Sequence, residues 1–184
     1  MNLPFDEVKA TQTAAWMLRQ AAAPLEHLAL IKLLYKADRE ALRRWGLPIT
    51  TDRYVAMKLG PVTSGIYDLI KASGNVGVHP TYWSSHIAKR GPYEVALERD
   101  PGSSELSRAE KRLLSEVFAA DGTKGGFRLA DETHRDFPEW RDPGITSTPI
   151  ELSEILDALG LPEDEVAHTE SVVRAHQAAR QLVG

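Results

Sequence analysis

Cysteine is absent from this sequence. Disulfide bonds and metal sites with thiolate ligands are therefore excluded, and nothing points to an oxidising compartment. A long apolar run is absent too, because no stretch of 18 uninterrupted apolar residues occurs. Asp6 and Glu7 stand where a signal peptide would carry basic residues. We therefore expect a cytoplasmic protein that is neither secreted nor embedded in a membrane.

An excess of positive charge is also missing. The chain carries 22 Lys and Arg against 26 Asp and Glu, a net charge of -4. Nucleic-acid binding depends on clustered Lys and Arg that release counterions, so this balance argues against a general affinity for nucleic acid. The hydrophobic fraction of 42% and the charged fraction of 26% are ordinary for a soluble globular protein. A length of 184 residues suits one domain, with or without a small appendage.

The usual catalytic motifs do not occur. The sequence has no G-x-S-x-G nucleophile elbow, no phosphate-binding G-x-x-x-x-G-K loop and no dinucleotide-binding G-x-G-x-x-G. None of its six histidines forms an H-E-x-x-H or H-x-H pattern with a carboxylate. No catalytic residue, no cofactor and no metal ligand is predicted.

Helical periodicity dominates the chain. The second predicted helix, residues 25–45, is the clearest element, because its apolar residues fall on one face and a glycine follows its last turn. Pro61 suits the first turn of a third helix that Gly74 ends, and Ser107 with Glu110 forms a capping box that starts a fourth. Further helices are predicted at residues 5–23, 129–135, 153–159 and 163–182, with a loop before the last two that contains Pro138, Pro143 and Pro149.

Strand-forming residues are fewer. Residues 76–83 and 87–98 are rich in Val, Ile, Tyr and Trp and predict a small antiparallel sheet, while residues 49–60 predict a short extended segment. The expected fold is mainly α with a small antiparallel β-sheet (α+β), a compact helical domain of about six or seven helices. We expect this domain at residues 5–142, and a C-terminal helical extension at residues 143–184 packed on or beside it.

One carboxylate interrupts the apolar face of the second helix. At 100° per residue Asp38 projects into the middle of that face, where it needs a cation or several hydrogen-bond donors. Arg53, Lys58 and His134 are the candidate partners. The favoured interpretation is a structural polar core of these four residues that ties the helix to the following strand. The alternative is a catalytic or binding carboxylate with a shifted pKa.

A basic stripe borders the same face. Its members are Lys32, Lys36, Arg39 and Arg43, which helical spacing brings to one edge. We predict this edge, together with the C-terminal helix, as the partner-binding surface. One alternative is that this edge binds a nucleic-acid backbone. The other is that it is a solvated face whose charge is balanced by acidic residues such as Glu40.

Three signature blocks in the sequence resemble the Panacea family, which includes the SocA-like antitoxins. The blocks are KLLYKADR at residues 32–39, YVAMKLGPV at residues 54–62, and Thr133-His134 followed by Pro138 and Trp140. The resemblance runs from about Phe5 to about Trp140, with the blocks in the family's order and at compatible spacing. In the third block Glu139 separates Pro138 from Trp140, where the family usually has the two adjacent.

The resemblance implies a type II antitoxin that neutralises a toxin by direct binding and without catalysis. Its expected partner is the cognate toxin, usually encoded by the neighbouring gene. SocA itself is described as an adaptor that delivers its toxin to a protease, which makes a protease a second expected partner. The resemblance implies no cofactor and no membrane partner.

Two other functions stay open at this point. One is a hydrolase or nucleotide-processing enzyme centred on Asp38, with Lys58 and His134 beside it. The other is a nucleic-acid-binding regulator of the protein's own operon, for which the basic stripe would supply the contacts.

Overall fold

The structure is a computed structural model and describes residues 4–73 and 80–181. Helical residues make up 54% of the described chain and two small three-stranded antiparallel sheets accompany them, so the predicted mainly α, α+β class is confirmed. The helices of the described part are α1 (Glu7–Gln20), α2 (His27–Trp45), α3 (Ser64–Ala72), α4 (Arg108–Asp121), α5 (Gly126–Asp136), α6 (Leu152–Ala158) and α7 (Glu163–Gln181). The strands there are β1 (Leu25–Glu26), β2 (Tyr54–Met57), β3 (Gly60–Thr63), β4 (Ile87–Arg90), β5 (Glu94–Leu97) and β6 (Thr148–Ile150).

Several helix ends follow local capping rules. The Ser107 hydroxyl accepts from the Glu110 amide and the Glu110 carboxylate accepts from the Ser107 amide, which confirms the capping box at the start of α4. Asp6 caps α1 by accepting from the Lys9 amide at 3.0 Å. Gly46 ends α2 in the left-handed conformation, with φ of 73°.

Helix α2 is the centre of the molecule. Between residues 29 and 42 only Lys36, Arg39 and Glu40 escape full burial. The helix packs against α1, α4, α5 and α6 and against β3, and the main apolar cluster surrounds it. Because so much of its surface is covered, even the polar residues of α2 must find their partners inside the protein.

The first sheet has the strand order β1-β5-β4. The expected sheet is present, but its pairing differs from the prediction: β4 and β5 form a hairpin within residues 87–98, and β1 supplies the third strand, with Leu25 opposite Val95. Residues 80–83 contain no strand, since Trp83 begins a short 3-10 helix, Trp83–Ser85. Residues 76–79 lie outside the described part of the chain.

The second sheet has the strand order β3-β2-β6 and corrects two predictions. Pro61 does not start a helix; it lies in β3 opposite Ala56, and α3 begins three residues later at Ser64. A proline is tolerated there because β3 is an edge strand, where a missing N–H disturbs no ladder. The expected loop around Pro149 contains β6, which pairs with β2 and sets Ile150 opposite Tyr54.

The C-terminal segment joins the body through a second apolar cluster. Leu156 of α6 and Val173 of α7 are fully buried there together with Tyr35 and Leu42 of α2. The boundary proposed at residue 142 stays a prediction. Across residues 4–73 and 80–181, no helix has the length and apolar character that crossing a membrane requires.

Candidate functional site

Asp38, in the middle of α2, is 1% exposed and accepts hydrogen bonds from neutral donors. Its Oδ1 accepts from the amides of Ile49 (2.8 Å) and Thr50 (2.9 Å), and its Oδ2 accepts from the hydroxyls of Tyr54 (2.9 Å) and Thr50. Burial raises the pKa of Asp38 to about 6, and the bonds from Thr50 and Tyr54 oppose that rise. Through these hydrogen bonds the carboxyl group ties α2 to the segment that leads into β2.

The predicted cationic partners lie elsewhere. Among the described contacts of Asp38, none comes from Arg53, Lys58 or His134. Arg53 and Lys58 are exposed, and the His134 ring stacks on Trp140 with centroids 3.9 Å apart. The loop after α2 presents enough amide and hydroxyl donors, so this buried carboxylate requires no cation.

A second buried carboxylate, Asp52, is absent from the sequence-based prediction. Its Oδ1 accepts from the amides of Arg53 and Gly65, both at 2.7 Å, and its Oδ2 accepts from the Ile66 amide at 2.9 Å. Asp52 thereby caps α3, whose own N-cap residue Thr63 makes no side-chain hydrogen bond. No local capping pattern signals this contact, because the acceptor and the helix are more than ten residues apart in sequence.

Lys32 does not lie on the surface. It is fully buried, and its Nζ donates to the carbonyl oxygen of Pro61 at 2.7 Å. Burial lowers the pKa of Lys32 to about 7. Gly60 beside it has φ of 95°, and a Cβ there would lie 2.8 Å from Lys32 Nζ and 2.7 Å from Thr133 Oγ1. Only glycine fits at this position, which explains the glycine of the Gly-Pro pair in the second signature block.

Residues at the end of the third signature block form hydrogen bonds with residues of the other two blocks. The Trp140 indole donates to the carbonyl oxygen of Met57 at 3.0 Å. Glu139, which interrupts the family pattern, is 6% exposed and accepts from the Tyr35 hydroxyl at 3.0 Å and from Arg39 Nε at 2.8 Å. The three signature blocks therefore meet around α2 and fix its neighbours by internal contacts.

The remaining cations of the predicted basic edge also have internal partners. Lys36 pairs with Asp121 and lies 3.6 Å from Glu132, while Arg43 donates to Glu40 at 2.8 Å through Nε. Much of the charge of this edge is therefore neutralised within the chain. Its role in partner binding stays a prediction.

An apolar groove of about 1020 Å³ lies at the N-terminal end of α2, and we name it the α2 groove. Its rim is formed by the β2–β3 turn, the β4–β5 turn and the start of α5. Its buried and half-buried apolar lining residues are Leu28, Ile31, Met57, Val62 and Tyr67. Concave apolar surfaces of this size are typical binding sites.

Large exposed apolar side chains converge on the α2 groove. Leu59, Tyr93 and Phe127 line it and are 41%, 70% and 69% exposed. Clustered apolar residues of this kind mark interaction surfaces, whereas single ones are ordinary. The sequence does not reveal this site, because the three residues come from two turns and the start of a helix that only the fold brings together.

No group of three or more His, Asp or Glu side chains within residues 4–73 and 80–181 is arranged to hold an ion.

Comparison with known families places a family model on this chain. The model of the family described as antitoxin SocA-like, Panacea domain, matches residues 30–141, which is more than half of the chain. This span contains all three signature blocks, and it contains the two turns and the start of α5 that form the rim of the α2 groove. Comparisons with curated proteins and with solved structures gave no match.

Replacing Asp38 tests its structural role. Asp38→Ala leaves buried amide and hydroxyl donors without an acceptor. We therefore expect a loss of about 2–4 kcal/mol in the free energy of unfolding, measured by urea denaturation. Asp38→Asn keeps an acceptor for the two amides and should cost less. Asp68→Ala, at a carboxylate paired only on the surface with Lys71, is the control. Equal urea midpoints for Asp38→Ala and the control would contradict the assignment.

The buried Lys32 predicts a pH-dependent stability. Its pKa is about 7 in the fold and 10.5 in the unfolded chain, so the unfolded state binds more protons between these values. The free energy of unfolding should therefore rise between pH 7 and 9, with a slope approaching about 1.4 kcal/mol per pH unit. Lys32→Met should remove this rise, and Lys36→Met should keep it. An unchanged slope in Lys32→Met would show that another group is responsible.

Proposed function

Because the chain belongs to the SocA-like antitoxin family, which the Panacea domain defines, we propose that it neutralises a cognate toxin by direct protein–protein binding and without catalysis. The observation that carries the proposal is the family match over residues 30–141. The toxin is encoded by the neighbouring gene, and the pair acts in the cytoplasm. Delivery of the bound toxin to a protease, as the resemblance to SocA implies, would follow the same binding step.

The surroundings of Asp38 support the non-catalytic part of the proposal. An enzyme centred on this carboxylate needs space for a substrate and a second group within hydrogen-bond reach. Asp38 is 1% exposed and its oxygens already accept from Ile49, Thr50 and Tyr54. Lys58 is exposed on a turn. These side chains do not form a catalytic set, and the enzyme alternative finds no support in this arrangement.

The pairing of the basic edge weakens the nucleic-acid alternative. Phosphate binding gains its free energy from cations that replace counterions along the backbone. Lys36 and Arg39 already contact Asp121 and Glu139, which would have to release them first. A protein partner that meets an apolar surface needs no such exchange.

Co-expression tests the antitoxin role. The product of the neighbouring gene should arrest growth when expressed alone, and growth should recover when this chain is expressed with it. The two proteins should then co-purify. A harmless neighbouring gene product, or rescue with no complex formed, would contradict the proposal. The level of toxin during rescue separates occlusion, which preserves it, from delivery to a protease, which lowers it.

Titration tests the absence of catalysis. A binding antitoxin should reduce toxin activity in proportion to the amount of chain added, with complete inhibition at a fixed molar ratio. An enzyme would inactivate many equivalents of toxin over time. Asp38→Asn, if folded, should titrate like the native chain, because Asp38 does not touch the partner. Time-dependent inactivation of excess toxin would exclude a purely stoichiometric mechanism.

A further inference from the structure

We propose that the α2 groove is the toxin-binding surface and that it receives an amphipathic helix of the toxin. This inference rests on the proposed antitoxin function and adds to it a location and a kind of partner segment. It also replaces the basic edge of α2 as the expected centre of the interface.

The apolar character of the groove indicates a protein segment as the occupant. Leu59 on the β2–β3 turn, Tyr93 on the β4–β5 turn and Phe127 in α5 are exposed and line one concavity. Ile31 and Val62, which line the same concavity, are buried. Small-molecule sites are usually more enclosed and bury most of the surface of the ligand. A row of exposed aromatic and aliphatic side chains over an apolar floor is instead the arrangement that receives the apolar face of a helix.

The charges on the rim specify the partner further. Arg90 is paired with Glu98, and the Glu26 carboxylate accepts from the Gly126 amide at 2.9 Å. Lys58 on the β2–β3 turn and Glu94, the first residue of β5, are exposed groove residues whose side chains bind no other described residue. A complementary helix therefore carries apolar residues along one face, an acidic residue where it passes Lys58 and a basic residue where it passes Glu94.

A second copy of this chain fits the groove less well. A two-fold dimer through this surface would set the same patch against itself. Two concave apolar surfaces in contact would leave their floors unfilled, whereas the convex apolar face of a helix is complementary in shape to a groove. We therefore assign the groove to a segment of the toxin.

Phe127→Asp is the decisive variant. Phe127 is 69% exposed in the first turn of α5, where an acidic residue favours the helix, so the fold should be preserved. The matched control is Ile145→Asp, at an apolar residue that is 100% exposed and does not line the groove. Affinity for the purified product of the neighbouring gene is measured by calorimetric titration, with circular dichroism to compare the folds.

We expect Phe127→Asp to weaken toxin binding by at least about 10-fold and Ile145→Asp to change it by less than about 2-fold. Native affinity in a folded Phe127→Asp variant would overturn the groove assignment while leaving the antitoxin function standing. Absence of binding by the native chain would instead overturn the antitoxin function and this proposal with it. A groove variant that only dissociates a dimer of this chain would assign the groove to self-association and overturn the toxin helix.

Discussion

The carboxylate of Asp38 determines how the chain leaves its central helix. By accepting from the amides of Ile49 and Thr50 and from the hydroxyl of Tyr54, it holds the start of β2 against α2. The rest of the second sheet is built on β2, and β6 leads directly into the C-terminal helices. Lys32 adds a parallel constraint on β3 through Pro61. Two ionisable side chains of one helix thus orient a whole sheet.

The ionisable side chains of α2 stabilise the fold through internal contacts, whereas the proposed interface is apolar. The conspicuous ionisable residues of α2 belong to internal networks, among them Asp38, Lys32 and the Arg39–Glu139 pair. The α2 groove, which is apolar and lies at the opposite end of α2 from Gly46, is available to a partner. Tyr93 and Phe127 of the groove lie outside the signature blocks, so these two residues can change to suit another partner without disturbing the contacts that the blocks make.

The sequence predicts what depends on local pattern and misses what depends on long-range pairing. The apolar stripe of α2 and the capping box at Ser107 involve residues within a few positions of each other, so both can be read directly. The burial of Lys32 depends on where β3 packs, and helical spacing alone places this lysine on an edge. The prediction that Pro61 starts a helix is wrong because an edge strand tolerates proline as readily as a first helical turn does. The α2 groove cannot be predicted from local sequence pattern, since its exposed residues are distant in sequence and neighbours only in space.

Hydrogen exchange of the free chain and of its toxin complex tests most directly whether fold and interface are separate. The amides of Ile49 and Thr50, which donate to Asp38, should exchange slowly in both states. Toxin binding should add protection at the β2–β3 turn, the β4–β5 turn and the start of α5. New protection confined to the C-terminal half of α2, or a marked slowing of exchange at Ile49 and Thr50 on binding, would contradict this account.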